Sequence, residues 1–207
     1  MTALDQAPAD ARPAVATIRG AALVALPWKN GGGVTREIAA YPPGAALDAF
    51  AWRVSVADVG AGGPFSRFDG VDRTLVLLSG AGMTLAEAGG ARHVLDTPLA
   101  RADFAGEAAI DATLHAGATR DFNLMTRRSA ARATLAVWRA GTHRVEPADT
   151  VLLFCAAGAL EVAIGGARYA LQELDTLRLD APQRAFDVVV SGGGALLAVS
   201  LTVDARD

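Results

Sequence analysis

Lysine is almost missing from this chain. Lys29 is the only one, and arginine supplies 18 of the 19 basic residues. Asparagine is nearly as scarce, present only as Asn30 and Asn123, while alanine exceeds a fifth of the total. This pattern reflects a base-composition bias that removes Lys and Asn wherever replacement is tolerated. Lys29 and Asn30 nevertheless adjoin, which marks their stretch as one that resists substitution.

Other absences exclude whole classes of function. A single cysteine, Cys155, cannot close an internal disulfide, in keeping with a reducing cytosol, and its apolar setting reads as core. Basic and acidic residues nearly balance, 19 against 22, so there is no electrostatic footprint for nucleic acid or an anionic membrane. Apolar runs such as 74–78 and 151–157 are far too short to span a bilayer. The first 20 residues carry Asp5, Pro8, Asp10 and Pro13 without an apolar stretch, so no signal peptide is expected. The expectation is a soluble, cytoplasmic protein. A homodimer is left open.

What the chain does have is many short apolar segments. Residues 34–39, 51–57, 73–79, 82–87, 91–95, 134–139, 150–155, 159–164, 167–171, 186–190 and 195–203 read as strands between Gly-rich breaks. No long amphipathic helix is legible. With 52 % apolar residues the chain can bury a sizeable core, and the pattern predicts an all-β sandwich or barrel.

The chain also repeats itself. "TLVLLSGAGMTLAEAGGARHVL" (74–95) aligns without a gap on "TVLLFCAAGALEVAIGGARYAL" (150–171). Each copy reads strand, small-residue turn, strand, Gly-Gly turn, strand, and the pairs 89–90 and 165–166 suit two-residue hairpin turns. This unit resembles the cupin jelly roll, two of which make a bicupin. The expected fold is therefore a duplicated cupin jelly roll in a single compact chain. Residues 1–130 would form the longer N-terminal module and 131–207 the C-terminal one, packed as one unit.

Metal-binding cupins place a glutamate seven residues before the hairpin glycine, near a histidine pair. Counting back from Gly82 and Gly158 reaches Leu75 and Val151, which cannot coordinate. His93, His115 and His143 lie singly and read as surface or satisfied residues. No metal and no cofactor is expected.

"LPWKNGGGVTREI" (26–38) is not a phosphate loop, because Lys29 precedes the glycines and a strand follows them. A dinucleotide fingerprint fails too, since there is no parallel α/β unit. The glycines read as a close-approach turn whose backbone amides, with Lys29, face a ligand. Further polar residues interrupt apolar strands. In "WRVSVADV" (52–59), alternation sets Arg53, Ser55 and Ala57 against Trp52, Val54 and Val56. In "DFNLMTRR" (121–128) it sets Asp121, Asn123 and Met125 against Phe122 and Leu124. One reading puts arginines 53 and 73 at solvated edges or in salt bridges with Asp72 and Glu37. In the other, Lys29, Arg36, Arg53, Arg73 and Asn123 converge as donors for a small dicarboxylate or acylated amino acid. Asn30 would add an amide contact and Trp28 an apolar wall.

"PWKNGGGVTREI", "WRVSVADV", "GPFSRFDGVDRTLVLLSGAGMTL" and "DFNLMTRR", in this order, resemble the HutD/Ves family, strongly over about 20–130. The resemblance implies a bicupin linked to bacterial histidine utilisation. It would bind a small molecule and moderate histidine catabolism by sensing an intermediate such as formylglutamate or urocanate. Matching positions are Trp28, Lys29, Asn30, Gly31 to Gly33, Thr35, Arg36, Glu37, Arg53, Ser55, Arg73, Asp121 and Asn123. Two departures are Phe68-Asp69-Gly70 for the usual Phe-Pro-Gly, and Phe104-Ala105-Gly106-Glu107 for Phe-x-Gly-Asp. Both are read as lying outside the donor cluster.

The leading expectation is a metal-free, non-catalytic binding protein for a small anionic metabolite, with Arg36→Met and Lys29→Met as the test. The rival is a metal-independent isomerase or hydrolase with Glu37 or Asp121 as general base. The sequence favours the first without deciding it. A structural or protein-interaction module is a third reading, and it requires no site lined by these donors.

Overall fold

The computed structural model describes residues 14–204. Among these there is no α-helix, and a 3-10 turn spans Gly20–Ala22. The strands in chain order are β1 (Ala14–Ile18), β2 (Ala25–Pro27), β3 (Gly33–Tyr41), β4 (Trp52–Val59), β5 (Gly63–Pro64) and β6 (Val71–Ser79). They continue with β7 (Met83–Glu87), β8 (Arg92–Leu95), β9 (Arg101–Ala105), β10 (Ile110–Leu114), β11 (Thr119–Arg127), β12 (Ala131–Trp138) and β13 (Gly141–Val145). The last are β14 (Thr150–Ala157), β15 (Leu160–Ile164), β16 (Ala167–Leu171), β17 (Thr176–Asp180), β18 (Phe186–Gly192) and β19 (Ala195–Val203). No helix among the described residues is long and apolar enough to cross a membrane.

The strands fall into two units, one built on 21–133 and the other on 134–201 together with β1. In the first unit one sheet runs β2-β3-β4-β11-β6-β9 and the other β5-β10-β7-β8. In the second unit the sheets run β1-β17-β14-β19-β12 and β13-β18-β15-β16. The two are copies: β4-β11-β6-β9 matches β12-β19-β14-β17, and β5-β10-β7-β8 matches β13-β18-β15-β16. The sequence repeat is the part of this plan that carries β6, β7 and β8 onto β14, β15 and β16. Each unit is an antiparallel two-sheet jelly roll, so the chain is an all-β duplicated cupin.

What fills the two jelly rolls differs. The core cluster of the second is apolar, with Val151, Leu153, Cys155, Val162, Leu177, Leu179, Val188, Val190 and Leu196 all buried. Each such side chain contributes about 1.5–3 kcal/mol by leaving water. Cys155 is fully buried there, and burial pushes its thiol up to about 11. Val151 and Leu75, at the positions counted for metal ligands, belong to the two cores. The first interior has an apolar base of Leu75, Leu77, Met83, Leu85, Leu95, Ile110 and Ala112. It also admits polar side chains, and these define the site.

Several strands are not legible in the sequence, among them β1, β2, β5, β9, β10 and β13. β9 explains why: "RADFA" turns only Ala102 and Phe104 inward, too little apolar contrast for so short a run.

Candidate functional site

The Lys29–Gly33 stretch closes the β2–β3 hairpin. Trp28 donates its amide to the Gly33 carbonyl at 2.9 Å, and Gly31 donates to the Trp28 carbonyl at 3.0 Å. Gly32 donates to Asn30 Oδ1 at 3.0 Å, an Asx turn. Gly31 needs its φ of +71°, which glycine adopts without strain. Gly33 is needed for space: a Cβ there would lie 2.5 Å from the Asp58 carbonyl and 3.2 Å from the Trp28 ring. The indole therefore folds back over the strand, where Nε1 donates to Thr35 Oγ1 at 2.8 Å, and packs against the first core. The amides of Gly31 and Gly32 are thus engaged within the turn instead of facing a ligand. Lys29 and Asn30 are exposed.

The register of the large sheet sets the rest of the site. Glu37 pairs with Ser55, Ser55 with Asn123, and Asn123 with Leu75. Met125 lies between Arg53 on β4 and Arg73 on β6, and Arg73 is opposite Phe104 on β9. Asp121 sits between Ala57 and Leu77, with Thr35 one strand further on. A bulge between Glu37 and Ala39 keeps β3 in step. Ala57, Leu75, Leu77 and Phe104 are core members, so this is the inner face of the first jelly roll. Thr35, Glu37, Arg53, Ser55, Arg73, Asp121 and Asn123 all share it.

Their interactions divide them. Arg53 is held: Nε donates to Glu37 Oε2 at 2.7 Å and Nη1 to Ser55 Oγ at 3.4 Å. Arg73 is only 7 % exposed, and its Nε has no hydrogen-bond partner. Its guanidinium lies 5.2 Å from the Phe65 ring centroid, 5.6 Å from Phe68 and 5.1 Å from Phe104. Burial pulls its pKa down to about 10, with Asp121 opposing the shift and Arg53 adding to it. Asp121 is 1 % exposed, and its Oδ1 is unpartnered, as is Oδ1 of Asn123. Burial pushes the Asp121 carboxyl up to about 7 against the pull of Arg73. A cation and a carboxyl that are electrostatically coupled but share no hydrogen bond leave polar atoms for a third group.

Arg36 is not brought to this cluster. It lies on the opposite face, where Nη1 meets Asp58 Oδ2 at 2.6 Å, and Arg120 Nε holds the other oxygen at 2.6 Å. These hydrogen bonds, Arg120 first, keep Asp58 below its ordinary value despite partial burial. Arginines 53 and 73 are not at solvated edges: Arg53 is paired with Glu37, and Asp72 pairs instead with Arg128. The histidines are each hydrogen-bonded locally, His93 to Glu87 at 2.8 Å, His115 to Thr84 at 2.9 Å and His143 to the Arg139 carbonyl at 2.7 Å. Among the described residues no group of three or more His, Cys, Asp or Glu could hold a metal ion.

Sequence reasoning missed the phenylalanines. Phe68 and Phe104, placed outside the donor cluster in reading the two motif departures, both lie against Arg73. The available signal was composition: the chain has seven phenylalanines, and three of them flank one arginine.

The model of the HutD family matches residues 20–198. The chain belongs to the HutD family. It is 40 % identical over 174 residues to an uncharacterised 21.2 kDa protein in the hutC 3′ region of Pseudomonas putida, covering 83 % of this chain and 90 % of that one. HutD from Pseudomonas fluorescens SBW25 superposes with a TM-score of 0.82 at 35 % identity, over 93 % of this chain and 100 % of that one. Protein Ves of Cronobacter sakazakii is 44 % identical over 113 residues, 53 % of this chain and 59 % of that protein. HutD of P. fluorescens thus shares the double jelly roll, the P. putida relative is placed in a hutC 3′ region, and the Ves match covers about half the chain.

Proposed function

We propose that the first jelly roll of this HutD-family chain binds a small anionic metabolite in a regulatory role linked to histidine utilisation. An intermediate such as formylglutamate or urocanate is the expected ligand class. One observation carries this reading. Arg73 Nε, Asn123 Oδ1 and Asp121 Oδ1 are buried without partners on adjacent strands of one inner face. Unpaired polar atoms in an apolar interior are costly, at roughly 1–3 kcal/mol each. The core cluster of the copied fold in the second unit is instead made of aliphatic side chains and Cys155. A carboxylate would be met by the Arg73 guanidinium through charge-assisted hydrogen bonds, and Asn123 would contact a neutral polar group.

A thermal-shift screen of formylglutamate, urocanate and related carboxylates tests this, since a ligand of the folded state raises the melting point. The expected result is a shift in the wild type that Arg73→Met abolishes. No shift from any of these compounds would overturn the reading.

One observation favours a second reading, a metal-independent isomerase or hydrolase. Asp121 is buried with a pKa near 7, suited to a general base at neutral pH. Glu37 lacks that environment, being committed to Arg53 and about a third exposed at 35 %. Incubation with each compound that shifts the melting point, followed by product analysis, separates turnover from binding.

A further inference from the structure

Arg73 is stabilised in an unusual way for a buried cation. Its guanidinium reaches the Ser66 carbonyl at 3.4 Å through Nη1, a long contact, and its Nε has no acceptor. Three phenyl rings supply the rest. Aromatic faces carry a negative quadrupole that attracts a guanidinium within about 6 Å. Phenylalanine has no hydrogen-bond acceptor, so these rings stabilise the charge without occupying its N–H groups. Arg53 shows the contrast, with its Nε engaged by Glu37.

The three rings come from separate segments, and the backbone locks them together. Phe104 stands opposite Arg73 in the β6–β9 register. Phe65 follows β5 and donates its amide to the Ile110 carbonyl at 2.9 Å, and its ring meets Phe104 at 6.5 Å. Phe68 donates to the Gly106 carbonyl at 2.8 Å, and Gly106 donates to the Val71 carbonyl at 2.6 Å. A Cβ on Gly106 would lie 2.6 Å from the Phe68 carbonyl and 2.8 Å from that of Val71. The Phe68-Asp69-Gly70 and Phe104-Ala105-Gly106 stretches are therefore one physical unit, clasped beside Arg73.

We propose that Phe65, Phe68 and Phe104 are positioning residues that hold the Arg73 guanidinium with its N–H groups available to an anion. This rests on the reading of the first jelly roll as an anion site and adds the device that keeps its cation ready. The rings fix the plane of the guanidinium, and bidentate recognition of a carboxylate depends on that plane.

The test uses the full 15N-labelled chain and sodium acetate as the carboxylate probe. The Arg73 Nε–H resonance, identified by its loss in Arg73→Lys, is followed through the titration. In the unliganded protein, Phe104→Leu should move and broaden this resonance as ring currents and confinement are lost. Acetate should then bind about tenfold more weakly, while Phe104→Tyr, which keeps the aromatic face, stays within about twofold of wild type. Phe65 and Phe68 are only partly buried, so Phe65→Leu and Phe68→Leu keep the test open should Phe104→Leu not fold. Folded leucine variants that bind acetate as the wild type does would overturn the positioning role alone. An Arg73 resonance in the wild type that ignores acetate, formylglutamate and urocanate would overturn the anion site itself, and this inference with it.

Discussion

Arg53 and Glu37 hold each other at 2.7 Å, Nε to Oε2, while Arg73, two strands along the same face, holds no carboxylate by hydrogen bond among the described residues. The pair therefore belongs to the scaffold, and the other arginine is left to act. Glu37→Gln should cost about 1 kcal/mol, because the buried Arg53 then donates to a neutral amide oxygen in place of a carboxylate. Removing a negative charge from the inner face should also strengthen anion binding. Urea denaturation and calorimetry with acetate check both, and weaker acetate binding in this variant would overturn the electrostatic argument.

The three consecutive glycines should respond unequally to alanine. At Gly33 a Cβ would strike the Asp58 carbonyl and crowd the Trp28 ring. Gly33→Ala should therefore cost about 2 kcal/mol or more and change the tryptophan emission. Gly31 has open space but a φ of +71°, so Gly31→Ala should cost about 1 kcal/mol through backbone strain alone. A Cβ on Gly32 would meet its nearest neighbour, Asn30 Oδ1, at 3.4 Å, so this glycine should tolerate alanine almost freely. Equal effects at all three would contradict this hairpin.

Much of the candidate site's shared face is legible in the sequence because β-strand alternation is a strict rule. Alternation alone puts Arg53 with Ser55, and Asp121 with Asn123, on one face, and the register confirms both. The repeat likewise announces the duplicated jelly roll, since its Gly-Gly turns recur at fixed spacing. Arg36 is not legible in this way. It adjoins Thr35 and Glu37 in the motif, and adjacency in a strand means opposite faces. The phenylalanine clasp is hidden for another reason. Contacts among Phe65, Phe68, Phe104 and Arg73 depend on the β6–β9 pairing, and β9 is too short and too weak in apolar contrast to be read as a strand.

Asp121 should make stability depend on pH with a definite sign. Burial raises its carboxyl from the ordinary 3.8 to about 7. The folded chain then keeps a proton that the unfolded chain releases, so this stabilisation is complete below pH 3.8 and lost as pH rises to about 7. Asp121→Asn should flatten that decline, by at most about 1.4 kcal/mol per pH unit, and be the more stable protein at pH 8. Melting temperatures across pH 4–8 decide it, and parallel curves for the two proteins would show that Asp121 titrates normally.

Arg36 and Lys29 provide the sharpest check on where the ligand lies. The family motif places both beside the site, yet Arg36 points to the opposite face and shares Asp58 with Arg120. Arg36→Met should therefore cost about 0.5–1 kcal/mol from the part-exposed ion pair and leave acetate affinity within about twofold. Lys29 is exposed on the hairpin turn, and its charge acts through water. Lys29→Met should slow association and lessen its salt dependence more than it weakens the equilibrium. Stopped-flow binding at two ionic strengths, alongside calorimetry, separates these effects. A tenfold loss of affinity in Arg36→Met, with Arg73→Met unaffected, would move the site to the other face of the sheet.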